Sequence, residues 1–382
     1  MRSAITLLFL AATLAFAADP PFGDNIRLRG SLDNSRRTFE QTKRGTVAFL
    51  GGSITEMNGH RPMVMELLKN RFPDTQFTFI DAGISSTTSI TGAFRLDRDV
   101  LSKGPVDLLF VEFAVNDDQD GHYTREQCIR GFEGIVRHAR QANPLTDIVT
   151  TYFVNEPMLA TLDAGKVPLT IEAHDAVARH YAVSSLNLAR EVSQQIRQGG
   201  LTWKIYGGVH PATAGNAIQA AMVAELLARA WASPPGPATP HAIPAPLDPL
   251  SFSKGRFIDP AQATIRSGWT LGIPDWKALP GSKRERFTSV PLLSASTPGA
   301  ELSLAFEGTA IGAFILAGPD AGVAEASIDG GPFRNIELLH EYSKNLHYPR
   351  TVLFADDLKP GAHRLTLRVT RGAMRILRFT VN

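Results

Sequence analysis

The chain contains a single cysteine, Cys128, among its 382 residues. One thiol cannot build a disulfide framework, so we expect the fold to be stabilised by packing alone. Cys128 lies in the stretch TREQCIRGFEGIVRHAR, whose apolar spacing predicts a helix. We therefore interpret it as a small buried apolar group and not as a nucleophile.

An excess of charge of either sign is also missing. Charged residues make up 20% of the chain, the hydrophobic set 43%, and the formal net charge is +2. This composition is typical of a globular protein and, without runs of Lys or Arg, gives no reason to expect nucleic acid or a membrane surface as a partner. The length predicts two domains.

The longest apolar run, from Ala4 to Phe16, is too short for the roughly 20 residues that cross a bilayer. It follows Arg2 and ends in Ala-Phe-Ala at residues 15–17, the arrangement of a secretory signal with its cleavage site. The sequence therefore predicts a signal peptide at residues 1–17, no membrane anchor, and a secreted or periplasmic mature protein.

The rest of the chain shows two different patterns of predicted secondary structure. From Gly45 to Trp231, apolar strands such as TVAFLGG, QFTFIDAG, VDLLFVEFAV and TDIVTTYFV alternate with helical patterns, which predicts an α/β domain with a parallel sheet covered on both faces. Residues 233–249 form a proline-rich linker. Beyond it, short apolar runs between turns such as Asp329-Gly330-Gly331 predict an antiparallel β-sandwich at residues 250–382, after a first domain at residues 18–232.

Four residues stand where the predicted strands end or just before the last helix. Ser53 follows the first strand, Gly83 closes the second, Asn116 follows the third, and His210 lies in a loop. Ligands bind at the carboxyl ends of parallel strands, where a serine can attack and amides can hold an oxyanion. Each residue also has a plain interpretation as a helix cap or a turn residue.

Together, GGSIT, DAGISST, AVND and GVHP resemble the four sequence blocks of the SGNH hydrolase superfamily, also called GDSL-like esterases and lipases. The resemblance covers about residues 45–231 and implies a three-layer α/β/α domain with a short parallel sheet. It also implies that Ser53 is the nucleophile and that His210 is the general base. The oxyanion donors would be the N–H groups of Ser53 and Gly83 and the side-chain amide of Asn116.

Two positions depart from the family pattern. Ala114 replaces the glycine that usually opens the third block, which is a small change. Gly207 replaces the aspartate that usually orients the catalytic histidine, and a triad protease that loses this group loses about 10⁴ in rate. Three explanations are open: a backbone carbonyl orients the ring, a remote carboxylate does so, or the domain is catalytically impaired and binds glycans. The carboxylates considered are Glu56, Asp117, Asp118 and Asp175.

No cofactor or metal is expected. His174 and His180 are six residues apart and not four, and FLGGSIT has neither the lysine of a P-loop nor the glycine spacing of a dinucleotide site.

The sequence thus predicts a carboxylic ester hydrolase, specifically a secreted esterase that removes acyl groups, chiefly acetyl, from a polysaccharide or oligosaccharide. The β-sandwich resembles modules that accompany carbohydrate esterases. Its aromatic groups would either stack on sugars or pack in the core, and these are Trp269, Trp276, Tyr342, His347 and Tyr348. The alternatives are a catalytically impaired glycan-binding or scaffold protein and a lipase for long-chain esters.

Overall fold

The computed structural model describes residues 21–382, so the predicted signal peptide lies outside the described residues. The first domain is built on one sheet in the order β1-β6-β5-β4-β2-β3. Its strands are β1 (Ile26–Arg27), β2 (Arg44–Gly51), β3 (Gln76–Gly83), β4 (Leu108–Glu112), β5 (Asp147–Thr151) and β6 (Ser184–Leu186). All neighbouring pairs are parallel except the short β1, which runs antiparallel to β6.

Helices cover both faces of this sheet. They are α1 (Asp33–Thr42), α2 (Ser53–Glu56), α3 (His60–Arg71), α4 (Ser89–Asp99), α5 (Ala114–Gln119), α6 (Arg125–Ala142), α7 (Glu156–Asp163), α8 (Leu169–His180), α9 (Leu188–Arg197), α10 (Trp203–Tyr206) and α11 (Thr213–Ala230).

Successive residues of the central strands enter different cores. On β2, Val47 and Phe49 pack with α3 and α11, whereas Ala48 and Leu50 pack with α4 and α6. Side chains of a strand alternate between its two faces, so a continuous apolar strand needs a layer of helices on each side. The predicted three-layer α/β/α architecture is confirmed, and Cys128 is buried on α6 as expected.

The third strand is shorter than predicted. The apolar run VDLLFVEFAV contributes only Leu108–Glu112 to the sheet, and the chain turns at Phe113 into α5. Phe113 and Val115 are buried from this turn and helix rather than from a strand. A short apolar run does not distinguish between a strand and a buried helical turn. Helices α1, α4, α7 and α10 were not predicted.

The C-terminal domain is an antiparallel β-sandwich, as predicted. Its strands and one short helix are β7 (Arg256–Ile258), β8 (Thr264–Ser267), β9 (Thr270–Gly272), α12 (Glu285–Thr288), β10 (Leu292–Ala295), β11 (Glu301–Gly308), β12 (Ile311–Ala317), β13 (Val323–Ile328), β14 (Arg334–Glu337), β15 (Tyr348–Ala355), β16 (Gly361–Arg371) and β17 (Met374–Val381). One sheet has the order β15-β12-β17-β10-β9, with β7 also pairing with β17, and the other has the order β14-β13-β16-β11-β8.

The predicted turn at residues 329–331 joins β13 and β14, and both Asp329 and Gly330 have positive φ angles of 54° and 75°. The helical turn α12 was not predicted. The proline-rich stretch has neither helix nor strand and lies against the first domain, where Glu133 accepts the N–H groups of Leu247 and Asp248.

Arg95 ties together the carboxyl ends of two central strands. Its side chain is fully buried and donates to the carbonyl oxygens of Gly51 on β2 and Ala82 on β3, at 2.8 and 2.7 Å. Asp99 provides the counter-charge at 3.1 Å. Burial lowers the pKa of the guanidinium, with Asp99 opposing this effect. Since the candidate site residues follow these strand ends, Arg95 fixes their spacing.

We expect Arg95→Met to lower the free energy of unfolding of the first domain by about 3 kcal/mol, because two buried carbonyls and Asp99 each lose one hydrogen-bond donor. Arg98→Met is the control, since Arg98 pairs with the same Asp99 but its side chain is 44% exposed, and such a pair contributes about 1 kcal/mol or less. Thermal unfolding of the two variants tests this expectation, and equal midpoints would contradict it.

Candidate active site

Ser53 is the first residue of α2, and the residue before the helix is Gly52. The serine side chain makes no capping hydrogen bond there. Instead, its Oγ lies 2.8 Å from Nε2 of His210. The plain interpretation of Ser53 as a helix cap is therefore wrong, and the structure brings the predicted nucleophile and base together. Ser53 is half-buried and His210 is exposed, so the pair can be reached from solvent.

Backbone contacts hold the histidine loop, which joins α10 to α11. The N–H of Ala212 donates to the carbonyl of Tyr206 across the loop at 2.8 Å. Asn216, on the first turns of α11, donates to the carbonyl of Pro211 at 2.6 Å. Pro211 itself is buried, which anchors the residue directly after His210.

Within residues 21–382, no side chain or carbonyl accepts a hydrogen bond from Nδ1 of His210. The four carboxylates considered in the sequence are engaged elsewhere: Glu56 with Ser85, Asp117 with Ser89 and His174, Asp118 with Asn155, and Asp175 with Arg29. The explanations by a remote carboxylate and by a loop carbonyl therefore find no hydrogen bond in this structure. The imidazole faces solvent without a protein carboxylate to orient it.

The backbone explains why the usual aspartate does not fit. Gly207 has φ +111°, and a Cβ placed on it would lie 2.0 Å from the backbone nitrogen of Ala212. Only glycine adopts this conformation without strain, and no side chain can enter the space. The departure at position 207 is thus part of the shape of the loop.

We expect Gly207→Asp to destabilise the protein and to leave esterase activity no higher than in the wild type, since left-handed strain of about 1–3 kcal/mol adds to the clash with Ala212. Gly208→Asp is the matched control, because Gly208 has φ +78° but open space around its Cβ position. The lower thermal midpoint should belong to Gly207→Asp. A gain in activity at an unchanged midpoint would show that the loop accepts the acid.

Two predicted oxyanion residues lie against the Ser53 turn. A Cβ on Gly52 would fall 2.1 Å from Oδ1 of Asn116, so that amide sits directly beside the residue preceding the serine. A Cβ on Gly83 would fall 2.3 Å from the backbone nitrogen of Glu56. Glycine is required at both positions, because a Cβ would collide with the Asn116 amide at Gly52 and with the backbone of α2 at Gly83.

Both donors have partners in the structure. Nδ2 of Asn116 donates to Asp120 at 2.8 Å, and an amide nitrogen has a second hydrogen left for an oxyanion. The N–H of Gly83 donates to Oδ1 of Asp81 at 3.0 Å. Asp81 is also paired with Arg61 at 2.7 Å. An oxyanion at Gly83 would thus share or displace the Asp81 carboxylate.

Glu112, at the end of β4, lies beneath this turn and was not singled out from the sequence. Its Oε1 accepts from the N–H of Gly52 at 2.9 Å and from the hydroxyl of Thr55 at 2.6 Å. Oε2 is buried without a partner. Burial raises the pKa of Glu112 to about 7, although the two hydrogen bonds oppose this shift.

This pKa predicts a pH-dependent stability. The folded state retains the Glu112 proton more strongly than the unfolded chain, so the protein loses stability as pH rises from about 4.5 to about 7. The loss is on the order of 3 kcal/mol at 1.36 kcal/mol per pKa unit. Glu112→Gln keeps an acceptor oxygen but does not titrate. We expect its thermal midpoint to rise relative to the wild type between pH 5 and pH 8, and a constant difference would contradict this assignment.

Two groups of side chains have the proximity of metal ligands. Asp117, Cys128 and His174 are buried together, but both oxygens of Asp117 already accept hydrogen bonds from Ser89 and His174. Burial also raises the pKa of the Cys128 thiol, which disfavours a thiolate ligand. The second group, His122, His340 and Glu341, lies at the domain boundary. We assign no metal to either group.

The aromatic candidates of the β-sandwich differ in their exposure to solvent. Trp269, His347 and Tyr348 are buried, whereas Tyr342 is 45% exposed. The indole of Trp276 donates to the carbonyl of Thr288 and packs edge-on against His347. Core packing therefore accounts for most of the set.

Comparison with known proteins bears on the class of the first domain. Residues 49–218 match the GDSL-like Lipase/Acylhydrolase family, so this part of the chain is a GDSL-like acylhydrolase domain. The predicted resemblance and the predicted class, a carboxylic ester hydrolase, are thereby confirmed. No curated protein sequence matches the chain.

Two crystal structures of a two-domain esterase (CEX) active on acetylated mannans share the whole architecture. One of them was co-crystallised with mannopentaose; the TM-scores are 0.75 and 0.76, with 22% identity. Each match covers 94% of this chain and 97% of the other. At this identity the likeness shows the fold, including the C-terminal β domain. Within residues 21–382, no helix combines the length and apolar character needed to cross a membrane.

Proposed function

We propose that the protein is a secreted serine esterase that removes O-acetyl groups from a carbohydrate through a Ser53–His210 pair. The observation that carries the proposal is the 2.8 Å contact between Oγ of Ser53 and Nε2 of His210. It lies at the carboxyl edge of a parallel sheet, where α/β proteins bind ligands.

In the first half-reaction, Nε2 of His210 takes the hydroxyl proton while Oγ of Ser53 attacks the ester carbonyl carbon. The carbonyl oxygen becomes an oxyanion beside the N–H of Ser53 and the second hydrogen of the Asn116 amide. Gly83 also donates its N–H to the oxyanion once this group no longer donates to the Asp81 carboxylate. His210 then protonates the leaving sugar hydroxyl, and the acetyl group remains on Ser53.

In the second half-reaction, water replaces the alcohol. His210 takes a proton from the water, the resulting hydroxide attacks the acetyl carbon, and acetate leaves as Ser53 recovers its proton. The imidazolium forms twice in each cycle without a hydrogen-bonded protein carboxylate. Its exposed position places the charge in a high dielectric, where solvent stabilises it. This arrangement is a serine–histidine dyad.

The surroundings favour a short acyl group on a hydroxylated substrate. Charged and partly exposed side chains flank the Gly83 turn: Asp81 is 44% exposed, Arg286 39% and Glu56 32%. A long alkyl chain gains little from such a surface, whereas sugar hydroxyls form hydrogen bonds with it. The fold shared with an esterase active on acetylated mannans supports an acetylated polysaccharide as substrate, and makes acetylated mannan the first one to test.

We expect the wild type to hydrolyse p-nitrophenyl acetate and to release acetate from acetylated mannan, and Ser53→Ala to lose at least about 10³ in kcat, because the nucleophile is removed. Ser102→Ala, a change at an exposed serine in the turn that follows α4, is the control. The p-nitrophenyl octanoate rate should lie below the acetate rate.

Equal rates for wild type and Ser53→Ala would overturn the esterase proposal and favour a glycan-binding role. A higher rate on octanoate than on acetate would favour the lipase alternative.

A further inference from the structure

The side-chain amide of Asn116 is oriented by one carboxylate. Nδ2 donates to Oδ2 of Asp120 at 2.8 Å, one turn further along the chain. Oδ1 of Asn116 is buried and has no hydrogen-bond partner among the described residues. Since no other hydrogen bond among the described residues fixes the rotation of this amide, the position of Asp120 decides where its free N–H points.

Asp120 in turn is held by the C-terminal domain. The hydroxyl of Tyr348, the first residue of β15, donates to Oδ1 of Asp120. Nε2 of His340 donates to the backbone carbonyl of Asp120 at 3.0 Å. The rings of His340 and Tyr348 are stacked with their centroids 4.5 Å apart. Asp120 is 8% exposed and Tyr348 is 2% exposed, so these contacts are shielded from water.

The C-terminal domain also forms hydrogen bonds with the turn that contains Gly83. Arg284 donates to the carbonyl of Ser85 and to the hydroxyl of Ser86, both at 2.8 Å. Arg286 on α12 donates to the carbonyl of Gly83 at 3.1 Å and forms an ion pair with Glu56. Side chains of the β-sandwich thus hold the surroundings of Gly83 and Asn116, the two oxyanion residues that lie outside the Ser53 turn.

From these contacts we infer that the β-sandwich is a positioning element of the active site, in which the Tyr348 hydroxyl sets the Asn116 amide through Asp120. The inference rests on the proposed esterase function and deepens it. Tyr348 and Asp120 are positioning residues, because they act on the oxyanion only through Asn116. The C-terminal domain is therefore part of the catalytic apparatus in addition to any part it has in binding glycan.

Removing the Tyr348 hydroxyl should lower kcat with little change in KM. The amide contributes chiefly in the transition state, where charge develops on the oxygen, and an interaction of that kind affects kcat. A whole oxyanion donor is worth about 10² to 10³ in rate, so a misoriented one should cost about 10-fold.

The pH profile provides a second readout that a purely structural role would not change. Burial raises the pKa of Asp120, while hydrogen bonds from Tyr348, Asn116 and Gln119 oppose the shift. Without the Tyr348 donor, the pKa of Asp120 rises further, so the acid limb of the kcat profile should move to higher pH. The other charged or titratable groups facing Asp120 are His340, Arg284 and Tyr342, and Tyr348→Phe alters none of them.

The test compares wild type, Tyr348→Phe and Tyr181→Phe on p-nitrophenyl acetate across pH, with Ser53→Ala as the blank. Tyr181 is the matched control: it is as buried as Tyr348, and its hydroxyl also donates to a carboxylate, that of Glu133, at 2.7 Å. It precedes β6 and so lies at the opposite end of the sheet from the catalytic edge. We expect about a 10-fold lower kcat and a shifted acid limb for Tyr348→Phe only, with thermal midpoints confirming that both variants fold.

A second variant separates positioning from general damage. If Tyr348 acts through Asp120, adding Tyr348→Phe to Asp120→Asn should cost little more than Asp120→Asn alone. Wild-type kcat and pH profile in Tyr348→Phe, or fully additive losses, would overturn the positioning role while leaving the esterase intact. A wild type no faster than Ser53→Ala would instead overturn the proposed function and the inference together.

Discussion

The close approach of three strand ends is the constraint on which the site depends. Gly51 on β2 is paired with Gly83 on β3 and with Glu112 on β4. With no Cβ at residues 51, 52 and 83, backbone and side-chain amides converge around the Ser53 turn at distances that any other residue would prevent. The carbonyls exposed by this arrangement are satisfied by Arg95, and the N–H of Gly52 by Glu112. The positions of the groups at the catalytic edge are therefore set by this close packing.

The loop that contains His210 orients the imidazole but places no carboxylate beside it. In a complete triad, a carboxylate both orients the imidazole and stabilises its protonated form. Here the orientation follows from a loop fixed by backbone hydrogen bonds and by buried Pro211, and the charge faces solvent. The close contact of Gly207 with Ala212 leaves no room in this loop for the missing acid.

The two domains form one working unit in this structure. Side chains from α12, β15 and the segment before β15 contact Glu56, the Gly83 turn and Asp120. Where this interface shields polar groups from water, as at Asp120 and Tyr348, each hydrogen bond is stronger and the loss of a partner is costly. The β-sandwich is consequently coupled to the oxyanion residues more directly than a tethered binding module would be.

The local sequence determined the elements that obey short-range rules. Continuous apolar strands ending in glycine predicted the parallel sheet and its catalytic edge, and Ser53, Gly83, Asn116 and His210 are all found near that edge. Only the tertiary structure decided that Asn116 belongs to a helix and that the Gly83 N–H faces Asp81. It also decided that Tyr348 meets Asp120 across 228 residues. The reason is physical: strand and turn propensities act between neighbours in the chain, whereas contacts between domains arise where two finished surfaces fit together.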